Sequence, residues 1–262
     1  MRDAEPKEQI NEVFEVTYRV PGARRIRREL NRQGHAAARC TVERLTRGLG
    51  VTGAVRGRRV ITTLPGGRTD RAPDLVDRDF AAGDPDRCRV AYFTHGKTWA
   101  GVVYVAFAVD TFSRRIVGWS AVTVKETVFV LDAPERALRQ RDRDQHSVHP
   151  GESTRHSDAG SQCTGFRLAG HLGAAGIAAS IGSVGDAYDD ALVESTIGLF
   201  GTELIEPGRP WKTPSDVGLA TAGSVGWCNH RRLHGGTAHV PPVEHENNHY
   251  LAITKPQVTP SA

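Results

Sequence analysis

The sequence predicts an α/β fold in which a mixed sheet with flanking helices follows a small all-α module. Three observations predict it. Three apolar runs of strand length stand in succession at about 88–95, 102–109 and 114–122, and strands and helical patterns alternate after them. An arginine-rich stretch ahead of them carries two short helical patterns around a glycine. Between the two lies a segment of clustered Gly and Pro without apolar periodicity.

The first helical pattern is Gly22-Ala23-Arg24-Arg25-Ile26-Arg27-Arg28-Glu29-Leu30, with Ile26 and Leu30 facing inward. Asn31 to His35 breaks it at Gly34. A second runs from about Ala38 to Leu49, with Val42, Leu45 and Leu49 on one face and Gly50 just past its end. Two short helices about a glycine turn suggest a helix-turn-helix, whose second helix enters the DNA major groove. Arg39, Thr41, Glu43, Arg44 and Arg47 are then the exposed candidates for DNA contact, with Arg24 and Arg25 on the preceding helix. The alternative is a merely solvated arginine-rich helical pair.

Thr62 to Asp86, holding Pro65, Gly66, Gly67, Pro73 and Pro85, is expected to be a linker. The core then predicts its three strands, a helix at about 126–141, a strand ending near Asp158, a helix at about 163–175, a short strand at Ile177 to Ile181 and a helix carrying Glu194. The resulting division is 1–61 module, 62–86 linker, 87–250 core and 251–262 tail.

Charge points to a polyanion. The chain of 262 residues has a net charge of +4, yet Arg19 to Arg68 holds 13 arginines against two acids, Glu29 and Glu43. Each phosphate neutralised by such a block releases counterions, so affinity should fall steeply with salt. With 39% hydrophobic residues there is enough for one substantial core and a satellite. No apolar run approaches the ~20 residues needed to cross a bilayer, and MRDAEPKEQI lacks a signal peptide's apolar centre, so the expected location is the cytoplasm, associated with the nucleoid. Cys40, Cys88, Cys163 and Cys228 form no C-x-x-C pair, and His230 with His234 is a weak metal candidate without further ligands.

Two acids stand out by context. Asp158, in HSDAGSQ (156–162), stands at the mouth of a strand, and Glu194 lies early in an amphipathic run, 35 residues intervening. That pair suggests a site for a hard divalent ion, which takes one or two carboxylates and leaves room for water and phosphate oxygens. Asp186, Asp189 and Asp190 are better explained as helix-capping residues of a surface loop than as ligands, although Asp190, one turn before Glu194, stays open as a displaced one. The same Gly-rich loop could instead move over a substrate.

HSDAGSQ, GIAASIGSVGDAYDDALVESTIGLF (176–200), VDTFSRRIVGW (109–119) and NHRRLHG (229–235) together resemble the integrase-like transposases of bacterial insertion sequences, in that family's order and approximate spacing. GARR (22–25) and ARCTVERL (38–45) match the helix-turn-helix such proteins carry ahead of the core. The resemblance implies a ribonuclease-H-like core, a Mg²⁺ or Mn²⁺ cofactor, and cutting of DNA followed by joining of the freed 3′-hydroxyl to a target phosphodiester. It also implies element ends and target DNA as partners, a homo-oligomer on DNA, and in many relatives an upstream-frame protein. The family's triad of two aspartates and a glutamate maps onto this chain at its second and third members, Asp158 and Glu194.

The first aspartate's place, in the word Val90-Ala91-Tyr92-Phe93-Thr94, is taken by Tyr92, a phenol with an ordinary pKa near ~10 that supplies no charge at neutral pH. The expectation is therefore a catalytically impaired transposase. The alternative is a non-catalytic DNA-binding protein or a degenerate relic. Asp110, expected in a hairpin connection, and Asp84 and Asp86, expected as solvated loop residues, are not replacements. Gly201, where relatives tend to present a lysine, and Gly223-Ser224, inside a helix expected over Leu219 to Trp227, fit a damaged copy. Arg231 and Arg232 are expected either to touch DNA phosphates or to pair with surface acids.

Overall fold

The structure, a computed structural model, describes residues 3–55, 82–124, 127–143, 151, 153–157, 176–181 and 199–254. Its first element was not expected from the sequence. Helix α1 (Ala4–Val16) buries Ile10 and Val13 against Ile26 and Leu30 of α2 (Ala23–Arg32) and Val42 and Leu45 of α3 (Arg39–Gly48), all within one apolar cluster. Each pair recurs at a spacing of three or four, so each helix offers one narrow stripe, and three stripes close a small core.

Glycines end α2 and α3 as their positions predicted. Gly50 has φ +68°, its amide donates to the Arg47 carbonyl and the Val51 amide donates to the Thr46 carbonyl. Gly34 (φ +87°) and His35 repeat the pattern with Asn31 and Leu30. These are paired left-handed caps that satisfy otherwise orphaned carbonyls.

The core sheet has the order β3-β2-β1-β4-β5. Strands β1 (Cys88–Thr98), β2 (Gly101–Asp110) and β3 (Ile116–Val122) are antiparallel neighbours, while β4 (Ser153–Ser157) and β5 (Ile177–Ile181) join in parallel. Residue alternation splits the apolar runs between the two faces. Ala106, Ala108 and Val117 meet Ala133 and Ala137 of α4 (Thr127–Arg143). Val90, Tyr92, Val105, Phe107 and Val109 face the other way. There they pack with Phe200, with Leu204 and Ile205 of a π-helical turn (Gly201–Ile205), and with Val217 and Val225 of α5 (Pro214–His230). The expected mixed sheet with helices on its faces is thus observed, and the chain is α/β in three layers.

Helix α5 begins five residues before the expected Leu219. Thr213 and Asp216 form a reciprocal capping box with Pro214 in the first turn, a start signal visible in the sequence. A last helix, α6 (Pro242–Thr254), follows. Among the described residues no helix is long and apolar enough to cross a membrane.

Asp86 corrects an expectation: far from solvated, it is 8% exposed. Its carboxylate accepts from Arg89 (3.0 Å) and Arg141 (2.9 Å), and its amide donates to Asp110 Oδ1 at 2.8 Å. Arg141 in turn holds Glu246 of α6 by two bonds of 2.7 Å, and Arg115 and Ser113 reach the same carboxylate at 2.7 and 2.6 Å. Two long-range carboxylates and three guanidiniums thereby tie α4 and α6 to the β1–β2 end of the sheet.

Candidate catalytic pocket and nucleic-acid interface

Tyr92 sits in the middle of β1, 3% exposed, opposite Phe107 of β2. Their ring centroids lie 6.2 Å apart, and Phe107 meets Phe200 edge-on at 5.0 Å. The phenol is therefore held inside an aromatic cluster rather than on a polar floor.

Parallel pairing brings β4 to the same level. Cys88 registers with Thr154, Val90 with His156, and Ala91 with Ser157, so Tyr92 is the residue after the last paired position of β1. Asp158 is the residue after Ser157 in sequence. Asp158 and Glu194, together with the loop 182–190, the helix expected at 163–175 and most of the linker, lie outside the described residues. Phe200, six residues beyond Glu194, enters the cluster that contains Tyr92.

Asp110 brings no carboxylate to the side of β1 on which Tyr92 lies. It pairs with Arg89, three positions along β1 from Tyr92 and on the opposite face. It is fully buried, and both of its oxygens are engaged by the Asp86 amide and by Ser113. Burial, and after it the neighbouring carboxylates of Asp86 and Glu246, pushes its pKa up to about 6 against the opposing Ser113 bonds.

The described corner of the pocket does not fit a divalent cation. A metal there would meet a neutral phenol and apolar side chains, and the half-buried Arg114 lies close enough to sense charge on Tyr92. No group of three or more His, Cys, Asp or Glu with metal-binding geometry occurs among the described residues. His230 and His234 are not a ligand pair, because α5 ends between them. Burial, with Arg232, Arg25 and Arg114 around it, drives the His234 pKa down to about 3.

The arginines proposed for DNA contact divide into two sets. Arg24, Arg39, Arg44, Arg47 and Arg231 are exposed, and Thr41 is half-buried. Val42, Leu45 and Thr46 take the inner side of α3, which leaves Arg39, Glu43, Arg44 and Arg47 outward. Arg39 pairs with Glu43 at 2.7 Å and holds that carboxyl below the usual range. Arg44 grips Asp3 by two bonds, 2.8 and 3.0 Å. In the second set, Arg232 is 3% exposed, ion-paired to Glu203 and stacked 5.1 Å over Trp227. Of the two readings left open for Arg232, pairing with an acid is the one observed. Arg25 is half-buried, with its guanidinium 3.9 Å from the same Glu203.

Gly201, where the resemblance leads one to expect a lysine, opens the π turn, with the Glu206 amide donating to the Gly201 carbonyl across five residues. A Cβ at Gly201 would meet open space. Asn229 ties α5 to β3 by pairing both amide atoms with the Ile116 backbone at 2.9 Å.

Comparison with known proteins agrees with this architecture. Residues 1–59 match the HTH-like domain family and residues 85–187 the Integrase core domain family. A Mycobacterium tuberculosis protein assigned as the transposase of insertion sequence element IS986/IS6110 is 45% identical over 256 residues, covering 98% of this chain and 92% of its own. The transposase for insertion sequence element IS629 of Shigella sonnei is 42% identical over 252 residues, covering 96% and 82%. Among solved structures, a chain of the simian T-cell lymphotropic virus intasome in complex with PP2A regulatory subunit B56 gamma superimposes with a TM-score of 0.52 at 13% identity. It covers 97% of this chain and 77% of that one, a likeness of fold alone.

Proposed function

Because this chain belongs to the insertion-sequence transposases that carry an integrase core, we propose that it binds DNA through its amino-terminal module and is impaired in DNA cleavage and strand transfer. On this reading residues 1–61 are the DNA-binding module, 62–86 a linker, 87–250 the catalytic core and 251–262 a tail. Arg24, Arg39, Thr41, Arg44, Arg47 and Arg231 meet DNA phosphates or bases, while Arg25 and Arg232 are engaged within the protein. Asp158 and Glu194 are the remaining acids of a pocket for Mg²⁺ or Mn²⁺. Element ends, target DNA, further copies of the chain and an upstream-frame protein are the partners the reading calls for.

The observation that carries the proposed impairment is the setting of Tyr92. It occupies the strand position next to the end of β4, is buried among aromatics, and brings no negative charge near neutral pH. A divalent ion needs anionic oxygen donors to offset its desolvation, and this corner offers none. The same observation favours a second reading, a DNA-binding protein without chemistry.

Replacing the phenol tests both readings. Tyr92→Asp assayed for 3′-end cleavage with Mg²⁺ or Mn²⁺ should exceed the wild-type rate by roughly 10²-fold, the order attached to one electrostatic contact in a transition state. Wild-type cleavage as fast as the variant's would refute the impairment. A folded, DNA-binding variant that stays inactive would favour the second reading.

A further inference from the structure

The module is seated on the core by one face of α2. Arg25, Arg28 and Arg32, spaced three and four apart, all point to the carboxy-terminal part of the core. Arg25 lies 3.9 Å from Glu203, Arg28 is 2.8 Å from His239 Nδ1, and Arg32 grips Glu244 through a two-pronged contact of 3.1 and 2.8 Å. Beside this row Tyr18, in a left-handed turn (φ 58°), sets its ring edge-on to Trp227 with centroids 5.4 Å apart. Its hydroxyl stands over Gly223, where a Cβ would come within 3.2 Å. Gly223, which in sequence suggested damage, is thus the seat of a side chain from the other module.

Charge across this seam is unbalanced. Arg25, Arg28, Arg32 and Arg232 face two carboxylates, Glu203 and Glu244, with Glu29 beside Arg32 as a third. Glu203 is shared, its stronger partner being the buried Arg232. The Arg32–Glu244 pair is 39% exposed on both sides, so water and salt screen it. A guanidinium fork that grips a carboxylate with two bonds presents the same geometry to a phosphate.

We propose that Arg25, Arg28 and Arg32 form a second phosphate-binding face, masked by Glu203, His239 and Glu244 while the module is docked. Duplex DNA and the core compete for it. The inference rests on the DNA-binding reading above and adds to it a regulated surface on α2, separate from the exposed side of α3.

The test is duplex affinity measured by fluorescence anisotropy across a KCl series. Glu244→Gln should tighten binding by about threefold near 0.1 M salt and steepen the log-log salt slope by about 0.9, the contribution of one further phosphate contact. Asp142→Asn removes the same charge from the exposed surface of α4 and should leave affinity near wild type. Adding Arg32→Gln to Glu244→Gln should cancel the gain. A gain no larger than that of Asp142→Asn, or one that survives Arg32→Gln, overturns the masked face while leaving DNA binding intact. A wild-type chain that binds no duplex at any salt overturns the DNA-binding reading itself, and the masked face falls with it.

Discussion

The two faces of β1 treat charge in opposite ways. At Arg89, on the α4 side, buried carboxylates and guanidiniums are matched bond for bond through Asp86, Arg141, Arg115 and Glu246. Three residues on, at Tyr92 and on the other side, an aromatic cluster stands where the resemblance calls for an acid. A buried acid near a strand is therefore not in itself a catalytic candidate: Asp86, Asp110 and Glu246 are all spoken for, and what they hold is the position of α4 and α6. Buried ion pairs contribute little net stability compared with apolar packing, but removing one partner leaves the other charged and stranded.

The largest effect should come from breaking the matched side. Glu246→Gln leaves Arg141, with no exposed side-chain surface, without its two-pronged partner, and should cost about 3–5 kcal/mol in urea or thermal unfolding. Although burial opposes it, the Arg141 bonds and the charge of Arg141 and Arg115 hold the Glu246 pKa down to about 2. Its folded pKa lies below its unfolded one, so its contribution is fully present above about 4.5 and is lost as pH falls towards about 2. An acid limb unchanged by Glu246→Gln would break the comparison, since Glu246 would then not be the carboxylate that the matched side depends on.

Asp110 gives a smaller effect of opposite sign. Its folded pKa of about 6 exceeds its ordinary value of 3.8, so the stability it contributes is present below about 4 and disappears as pH rises through about 6. Burial, with the charges of Asp86 and Glu246, raises that pKa against the opposing Ser113 bonds. Ser113 Oγ lies 2.7 Å from Asp110 and 2.6 Å from Glu246, and a single hydroxyl proton serves only one of them. Asp110→Asn should remove a slope of at most about 1.4 kcal/mol per pH unit between pH 4 and 6, read as melting temperature against pH. A slope that persists in the variant would assign the titration to another group.

How much of this was legible depended on distance along the chain. The α2 and α3 caps were readable because Gly34 and Gly50 stand next to the helices they end. The strand position of Tyr92 was readable because Val90 to Thr94 stands within an apolar run of strand length. Helix α1 was missed although Ile10, Val13 and Phe14 have helical spacing, since three apolar residues among so many charges make a faint stripe. The Asp86–Arg141–Glu246 network was out of reach: its members are scattered from the first strand to the last helix, and only the fold brings them together. The approach of Tyr18 to Gly223 was out of reach for the same reason, because Tyr18 lies in another module.

The smallest effect on stability is expected on α3, the surface that shares neither the matched ions of one face nor the aromatic packing of the other. Arg39 is exposed and its ion-pair partner Glu43 sits one helical turn away on the same exposed side. Arg39→Gln should therefore leave the melting temperature unchanged, because a solvated pair of this kind contributes little. Its effect belongs to binding instead: if Arg39 meets a phosphate, the log-log salt slope of duplex affinity becomes shallower by about 0.9. If Arg39 reads a base, the slope stays and discrimination between duplexes weakens at one position. An affinity, slope and sequence preference all equal to wild type would remove Arg39 from the interface and leave Arg24, Arg44 and Arg47 to carry it.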